Sequence, residues 1–432
     1  MANGIASADM AIALGKAGCM GSYGSGGLRL EVVAREIDKM KAALGDKPFL
    51  VNMLSNRNAD MEMQLAQLLI DKEVLGVEAS AFIVPSEALV YFRVKGIREE
   101  EGKIVIPHKI IAKVSREEVL EKFVSPPADD LVASLLEAGR ITAEEALLAR
   151  QIPMADDITA EADSGGHTNG RPLVSMLPAL IALANRKQAE FGYRQKVRVG
   201  AGGGIGTGLS CLGAFEMGAA YVVTGSVNQG CVESGTSDYV KEILAETAMA
   251  DVTMAPCADM FEVGAKVEVI KKKTMYAQNA QKLYEYYVKY PGFQDIPAAD
   301  RDRIEKKILK DSFENIWKGT REYFLRVDPS KVPQAEKNPK MKMALVFRWY
   351  LGSSSRWAVQ GDMSRKFDMQ IWCGQSMGAF NLWVKGTPME KPENRHVERV
   401  AMLLLKSCAY HYMKNLLLRM GAAPDCFADD IL

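Results

Sequence analysis

Residues 197–229 read VRVGAGGGIGTGLSCLGAFEMGAAYVVTGSVNQ. The order is an apolar strand, a glycine loop, a short helix near 207–217, and a second apolar strand ending in Thr224-Gly225-Ser226. Six glycines fall between Gly200 and Gly208, so the loop bends freely and a ligand can approach its amides with no Cβ in the way. The helix that follows adds its positive N-terminus to the same place. Two strand ends thus offer N–H groups to one anion, and phosphate is the natural guest. No register of these glycines gives GxGxxG, and no Lys-Ser or Lys-Thr follows them as a Walker loop requires. Nor does the second strand end in an acidic residue that would grip a ribose. A tight strand-to-helix turn with no ligand would need fewer glycines.

Upstream of this stretch the chain alternates short apolar strands with amphipathic helices. Residues 19–23, 49–54, 74–83, 110–114 and 158–162 read as strands. The first is followed by a helix whose apolar positions Leu30, Val33, Ile37, Met40 and Leu44 keep the 3, 4 rhythm. Residues 88–94 and 103–107 flank a charged turn and read as a hairpin added to this plan. Residues 115–152 read as helical, with a break at Pro126-Pro127 and a restart at Thr142, whose Glu145 sits three positions on as in a capping box. Repeated βα units imply a parallel sheet with its ligand at the strand C-termini. The expected fold class is α/β, a TIM-type (β/α)8 barrel followed by a mostly helical C-terminal region. Seven main strands are found where a closed barrel needs eight, so a first strand upstream of Met1 is expected, with an open sheet as the alternative. The domain reading is a barrel over 1–230, carrying the hairpin and helical insertion at 85–152, and a mostly helical region over 231–432. Helices are expected there at 238–249, 274–290, 300–310, 312–325, 342–356, 368–385 and 394–420.

Lys plus Arg equals Asp plus Glu at 54 each, so no net charge argues for a nucleic-acid or membrane surface. The seven cysteines are scattered and never spaced CxxC, which reads as reduced thiols in a cytoplasmic protein with no zinc framework. The start of the chain lacks the basic residues of a signal peptide, and no apolar run is long enough to span a bilayer. The basic triplet Lys271–Lys273 reads as a solvated helix start.

Of the four histidines, His108, His396 and His411 read as surface or packing residues. His167 ends Glu161-Ala-Asp-Ser-Gly-Gly-His, where a strand hands over to a glycine pair at the presumed catalytic face, the place for a general acid or base. Lys113 lies among the apolar residues of Ile110-Ile-Ala-Lys-Val-Ser. It either snorkels from a strand edge or faces a polar cavity and meets negative charge there. Asn52, near a strand's C-terminal end, either ends that strand or hydrogen-bonds a flat heterocycle.

Met-Ala-Asn-Gly-Ile-Ala-Ser at 1–7, Ile-Ile-Ala-Lys-Val-Ser at 110–115, Glu-Ala-Asp-Ser-Gly-Gly-His-Thr at 161–168, Gly-Ala-Gly-Gly-Gly-Ile-Gly-Thr at 200–207 and Val-Thr-Gly-Ser-Val-Asn-Gln at 223–229 together resemble the PfaD-type trans-acting enoyl reductases. These serve polyunsaturated fatty acid and polyketide synthases within the wider nitronate monooxygenase-like group. Trp372-Cys-Gly-Gln-Ser-Met-Gly-Ala-Phe-Asn is similar to the same family's C-terminal region. The resemblance implies an FMN barrel in which Gly203, Gly204, Gly225 and Ser226 hold the phosphate. Ser164, Gly165 and Gly166 would line the isoalloxazine, Ala2 and Asn52 would touch its ring, Lys113 would face its pyrimidine end, and His167 would be the active-site histidine. It implies NADPH as hydride donor, a trans-2-enoyl thioester on an acyl carrier protein as substrate, and synthase subunits as partners of a chain that could also self-associate. A nitronate monooxygenase using FMN and oxygen, and a docking subunit with no chemistry of its own, are the alternatives.

Overall fold

The computed structural model describes residues 1–56 and 58–431. In chain order its strands are β1 (Ser22–Tyr23), β2 (Leu50–Leu54), β3 (Gly76–Ser80), β4 (Arg98–Glu100), β5 (Lys103–Val105), β6 (Lys109–Val114), β7 (Asp157–Glu161), β8 (Gly166–His167), β9 (Arg198–Gly202), β10 (Val222–Val223), β11 (Val252–Pro256) and β12 (Lys266–Ile270). Seven of them form one sheet in the order β1-β2-β3-β6-β7-β9-β10. Every pairing in it is parallel, and a helical crossover separates each strand from the next, as parallel pairing demands. The sheet is of the TIM-barrel type, with β1 and β10 as its edge strands.

Two compact units divide the chain. The first comprises 1–164, 168–235 and 379–432; the second comprises 165–167 and 236–378. This differs from the division expected at residue 230, because the C-terminal helix Val397–Arg419 belongs with the sheet. Helix Gly208–Glu216 lies so close to it that a Cβ on Gly208 would fall 2.0 Å from Ser407 Oγ. Only glycine permits that approach.

Other expectations were corrected by packing. Residues 88–94 are not a hairpin strand but lie in the helix Glu87–Val94, whose N-cap Ser86 accepts from the Leu89 amide. Residues 88 to 94 are all buried, so no period of two is present to read. The hairpin is β4 with β5, turned through Glu101 and Gly102, both at positive φ, as a type I′ turn requires. The capping box at Thr142 and Glu145 is present, each side chain bonded to the other's amide.

In the second unit the expected helices are joined by strands that were missed: β11, β12 and β8 form an antiparallel sheet in that order. The expected helix at 368–385 is confined to Ser376–Trp383, because Trp372 instead bridges Val269 of β12. Phe261, Tyr276, Phe347 and Tyr350 are among the aromatic residues of this unit's core. Lys272 and Lys273 are paired with Asp251 and Glu246. Among the described residues no disulfide forms, and no helix is long and apolar enough to cross a membrane.

One buried ion pair ties the first unit's insertion to its sheet. The fully buried Arg93 donates from Nη1 to Asp156 Oδ2 at 2.5 Å and from Nε to the Pro153 carbonyl at 3.1 Å. Asp156 also accepts from the Ile110 amide of β6 at 3.0 Å. Removing one partner of such a pair strands the other charge. Arg93→Met should therefore lower the stability of this unit by about 3 kcal/mol, read as a lower urea midpoint.

Candidate active site

Side chains alternate across a strand, and the inward positions of the seven-stranded sheet are polar in layers. At the amino ends Arg198 makes two bonds of 2.6 Å to Asp157. Next comes Tyr221, whose hydroxyl is 3.0 Å from Thr159 Oγ1. Its ring occupies the space over Gly200, where a Cβ would come within 2.4 Å of it. Burial pushes the Tyr221 phenol well up from its ordinary range.

At the carboxyl ends Lys113 of β6 reaches Glu161 of β7 at 2.5 Å. Glu78 of β3 also acts on the same ammonium, and Ser22 of β1 donates to that carboxylate at 3.0 Å. Register explains the grouping: Lys113 lies opposite Thr159, two residues before Glu161, and Glu78 lies opposite Ile111, two residues before Lys113. Burial alone would lower the lysine's pKa, but Glu161 and Glu78 outweigh it and hold the ammonium above its usual range. Lys113 thus faces a polar interior and carries its charge at every physiological pH. Asn52 of β2 donates from Nδ2 to the Glu78 carbonyl at 3.1 Å and to Ser80 Oγ at 2.9 Å, so its amide nitrogen bridges two strands. Ala2 lies in a turn closed by Ile5 N to Ala2 O, which also pairs with the loop after β1.

The loop after β9 opens onto free space. Gly203 and Gly204 have φ of +92° and +73°, and nothing lies within 4 Å of where a Cβ on Gly204 or Gly225 would stand. The amides of Gly206 and Thr207 both bond Ser210 Oγ. Among the described residues no backbone group accepts from the amides of Gly204 or Ile205. Gly225 caps the short helix Ser226–Gln229 that begins directly after β10. These two turns fit a phosphate group, with donors and space in the same places.

Ser164 closes the first unit's segment, and Gly165, Gly166 and His167 belong to the second. Gly165 packs on Cys373, whose backbone a Cβ would meet at 2.7 Å. Gly166 has φ +86°. His167 pairs with Val267 of β12, and its Nε2 is 3.0 Å from Asp259 Oδ1. The buried Cys257 also lies within hydrogen-bonding reach, and the three donor atoms are all within 4.8 Å of one another. Burial would lower the imidazole's pKa, but Asp259 and Cys257 reverse this and lift it to about 10. The partner carboxyl is held down at about 2. Glu78, Cys257 and Asp259 carried no local signal that sequence reading used, since the last two lie some ninety positions from His167.

A parallel barrel-type sheet, with an amide cradle after its last two strands and a fixed cation at the same ends, is the frame of a barrel oxidoreductase. The chain belongs to the nitronate monooxygenase family, which matches residues 1–307. Residues 290–369 match a second family, the inserted helical domain of [acyl-carrier-protein] S-malonyltransferase. The crystal structure of the enoyl reductase domain of MlnA, from the macrolactin cluster of Bacillus amyloliquefaciens, superposes with a TM-score of 0.93 at 36% identity. That match covers 97% of this chain and 95% of the other. A polyunsaturated fatty acid synthase polypeptide of a Thraustochytrium species is 44% identical over 95% of this chain. The polyketide biosynthesis protein PksE of Bacillus subtilis is 42% identical over 95% of it. The chain spans 28% of the first of these relatives and 53% of the second.

The glycine geometry makes a paired prediction. Gly204→Ala should cost about 1 kcal/mol, the strain of a left-handed residue with open space around it. Gly203→Ala should cost clearly more, because its Cβ would also meet the Ala162 and Asp163 carbonyls at 2.8 Å. Thermal melting of the two variants checks the order.

Proposed function

We propose that the chain is an FMN-dependent enoyl reductase that reduces trans-2-enoyl thioesters on an acyl carrier protein, with NADPH as donor, in polyunsaturated fatty acid or polyketide biosynthesis. The observation that carries this reading is the near-complete match, in fold and length, to the enoyl reductase domain of MlnA. The polyunsaturated fatty acid and polyketide relatives support the same setting. Synthase subunits are the partners this setting supplies.

Bound FMN would supply a hydride carrier between nicotinamide and substrate. The amides about Gly203, Gly204, Gly225 and Ser226 would hold its phosphate. Lys113 would place positive charge beside the pyrimidine end, where electrons accumulate on reduction, while Glu161 and Glu78 fix the ammonium's position. Ala2, Asn52, Ser164, Gly165 and Gly166 would border the ring. His167 would give a proton to the α-carbon as hydride reaches the β-carbon, and would be reprotonated from water. The products are the saturated thioester and NADP⁺.

The test is anaerobic. Purified protein should show a flavin spectrum that NADPH bleaches and that crotonyl thioester restores. Return of colour only with oxygen and an alkyl nitronate would replace this reading with the nitronate monooxygenase one. Lys113→Met should slow the NADPH half-reaction on the order of 10²-fold, measured by stopped flow.

A further inference from the structure

The structure pairs His167 with a partner that the reaction scheme does not use. His167 and Val267 face each other across the β8–β12 pairing, and Val267 faces Ala255 of β11. Opposed residues share a sheet face and alternate residues return to it, so Cys257, two positions after Ala255, extends the face that bears His167. Glu268 pairs with Gly166 and Lys266 with Pro256, which puts both on the opposite face. Helix Tyr276–Lys289 contributes Tyr276, fully buried and hydrogen-bonded to the Pro256 carbonyl at 3.1 Å. A phenol whose own pKa is raised well above the ordinary range brings no charge. The carboxylate against the imidazole is Asp259, at 3.0 Å from Nε2, with Cys257 beside it.

We propose that Asp259 is a positioning residue that holds His167 as an imidazolium, with Nε2–H given to the carboxylate and Nδ1–H left to face substrate. This rests on the proposed reductase reading and gives it a direction. An imidazolium can only donate, so the histidine is set to protonate an α-carbon and not to abstract a proton beside a nitro group. The step balances: the Nδ1 proton goes to carbon, neutral imidazole remains, and water returns the proton, a return that the Asp259 carboxylate favours. Cys257 accompanies the pair as a buried neighbour.

The experiment follows the ring directly, by NMR titration of histidine-labelled full-length protein, with His167→Gln identifying the resonance among four histidines. In the unsubstituted protein His167 should remain protonated to pH 9. In Asp259→Asn its titration should fall by about two units, and Asp259→Glu should restore most of the shift. The alkaline limb of kcat for enoyl thioester reduction should move with it, while the rate of flavin reduction by NADPH stays unchanged. An imidazole that titrates near 6.5 in the unsubstituted protein, or that ignores Asp259→Asn in a chain of unchanged melting temperature, would overturn the proposal. The titration reads the resting protein, so it stands or falls separately from enoyl turnover.

Discussion

A lysine ammonium between two carboxylates, at the carboxyl ends of three adjacent parallel strands, is the constraint on which the first unit depends. Lys113, Glu161 and Glu78 can share one volume only if β3, β6 and β7 keep their register. A slip of one residue would turn each charged group toward the helices. There the core is apolar, and a charge without its partner costs several kcal/mol. Sheet register and site geometry are therefore the same requirement. The inner layers obey it as well: Arg198 with Asp157, then Tyr221 with Thr159, each satisfied before the next layer begins.

Glycine does three different things here, and composition alone does not separate them. Gly200 makes room for the Tyr221 ring, and Gly208 for a neighbouring helix. Gly203 serves a left-handed turn that passes beneath two carbonyls. Gly204 and Gly225, at the ends of β9 and β10, open onto free space. A run that reads as one phosphate loop is thus part packing and part cradle, and the family match does not distinguish the two.

The first unit was legible because parallel strands buried on both faces are short apolar runs set between amphipathic helices, and that period is local. Lys113 stood out for the same reason, a charge where the pattern demands an apolar residue. Glu78 breaks its strand in the same way and went unread. Glu87–Val94 was misread because full burial erases periodicity. In the second unit Lys266–Ile270 carries a plain alternation, Lys-Val-Glu-Val-Ile, yet it was overlooked among long helices. The partners of His167 could not be read at all. Asp259 meets it only because an antiparallel sheet folds the chain back, and no spacing rule links positions 92 residues apart.

The charges at the two expected catalytic positions argue together. Two carboxylates raise the pKa of Lys113, and Asp259 with Cys257 raises that of His167, in each case against the effect of burial. A site meant to remove a proton from carbon needs an imidazole that is neutral at rest, and would gain nothing from a carboxylate that keeps it protonated near neutral pH. A site meant to receive hydride and then quench a carbanion needs positive charge where negative charge accumulates and a proton ready to give. On the proposed reading both residues would meet those needs by the same device, a carboxylate set beside the cation. That shared electrostatic sign is what the proposed reductase reading would use.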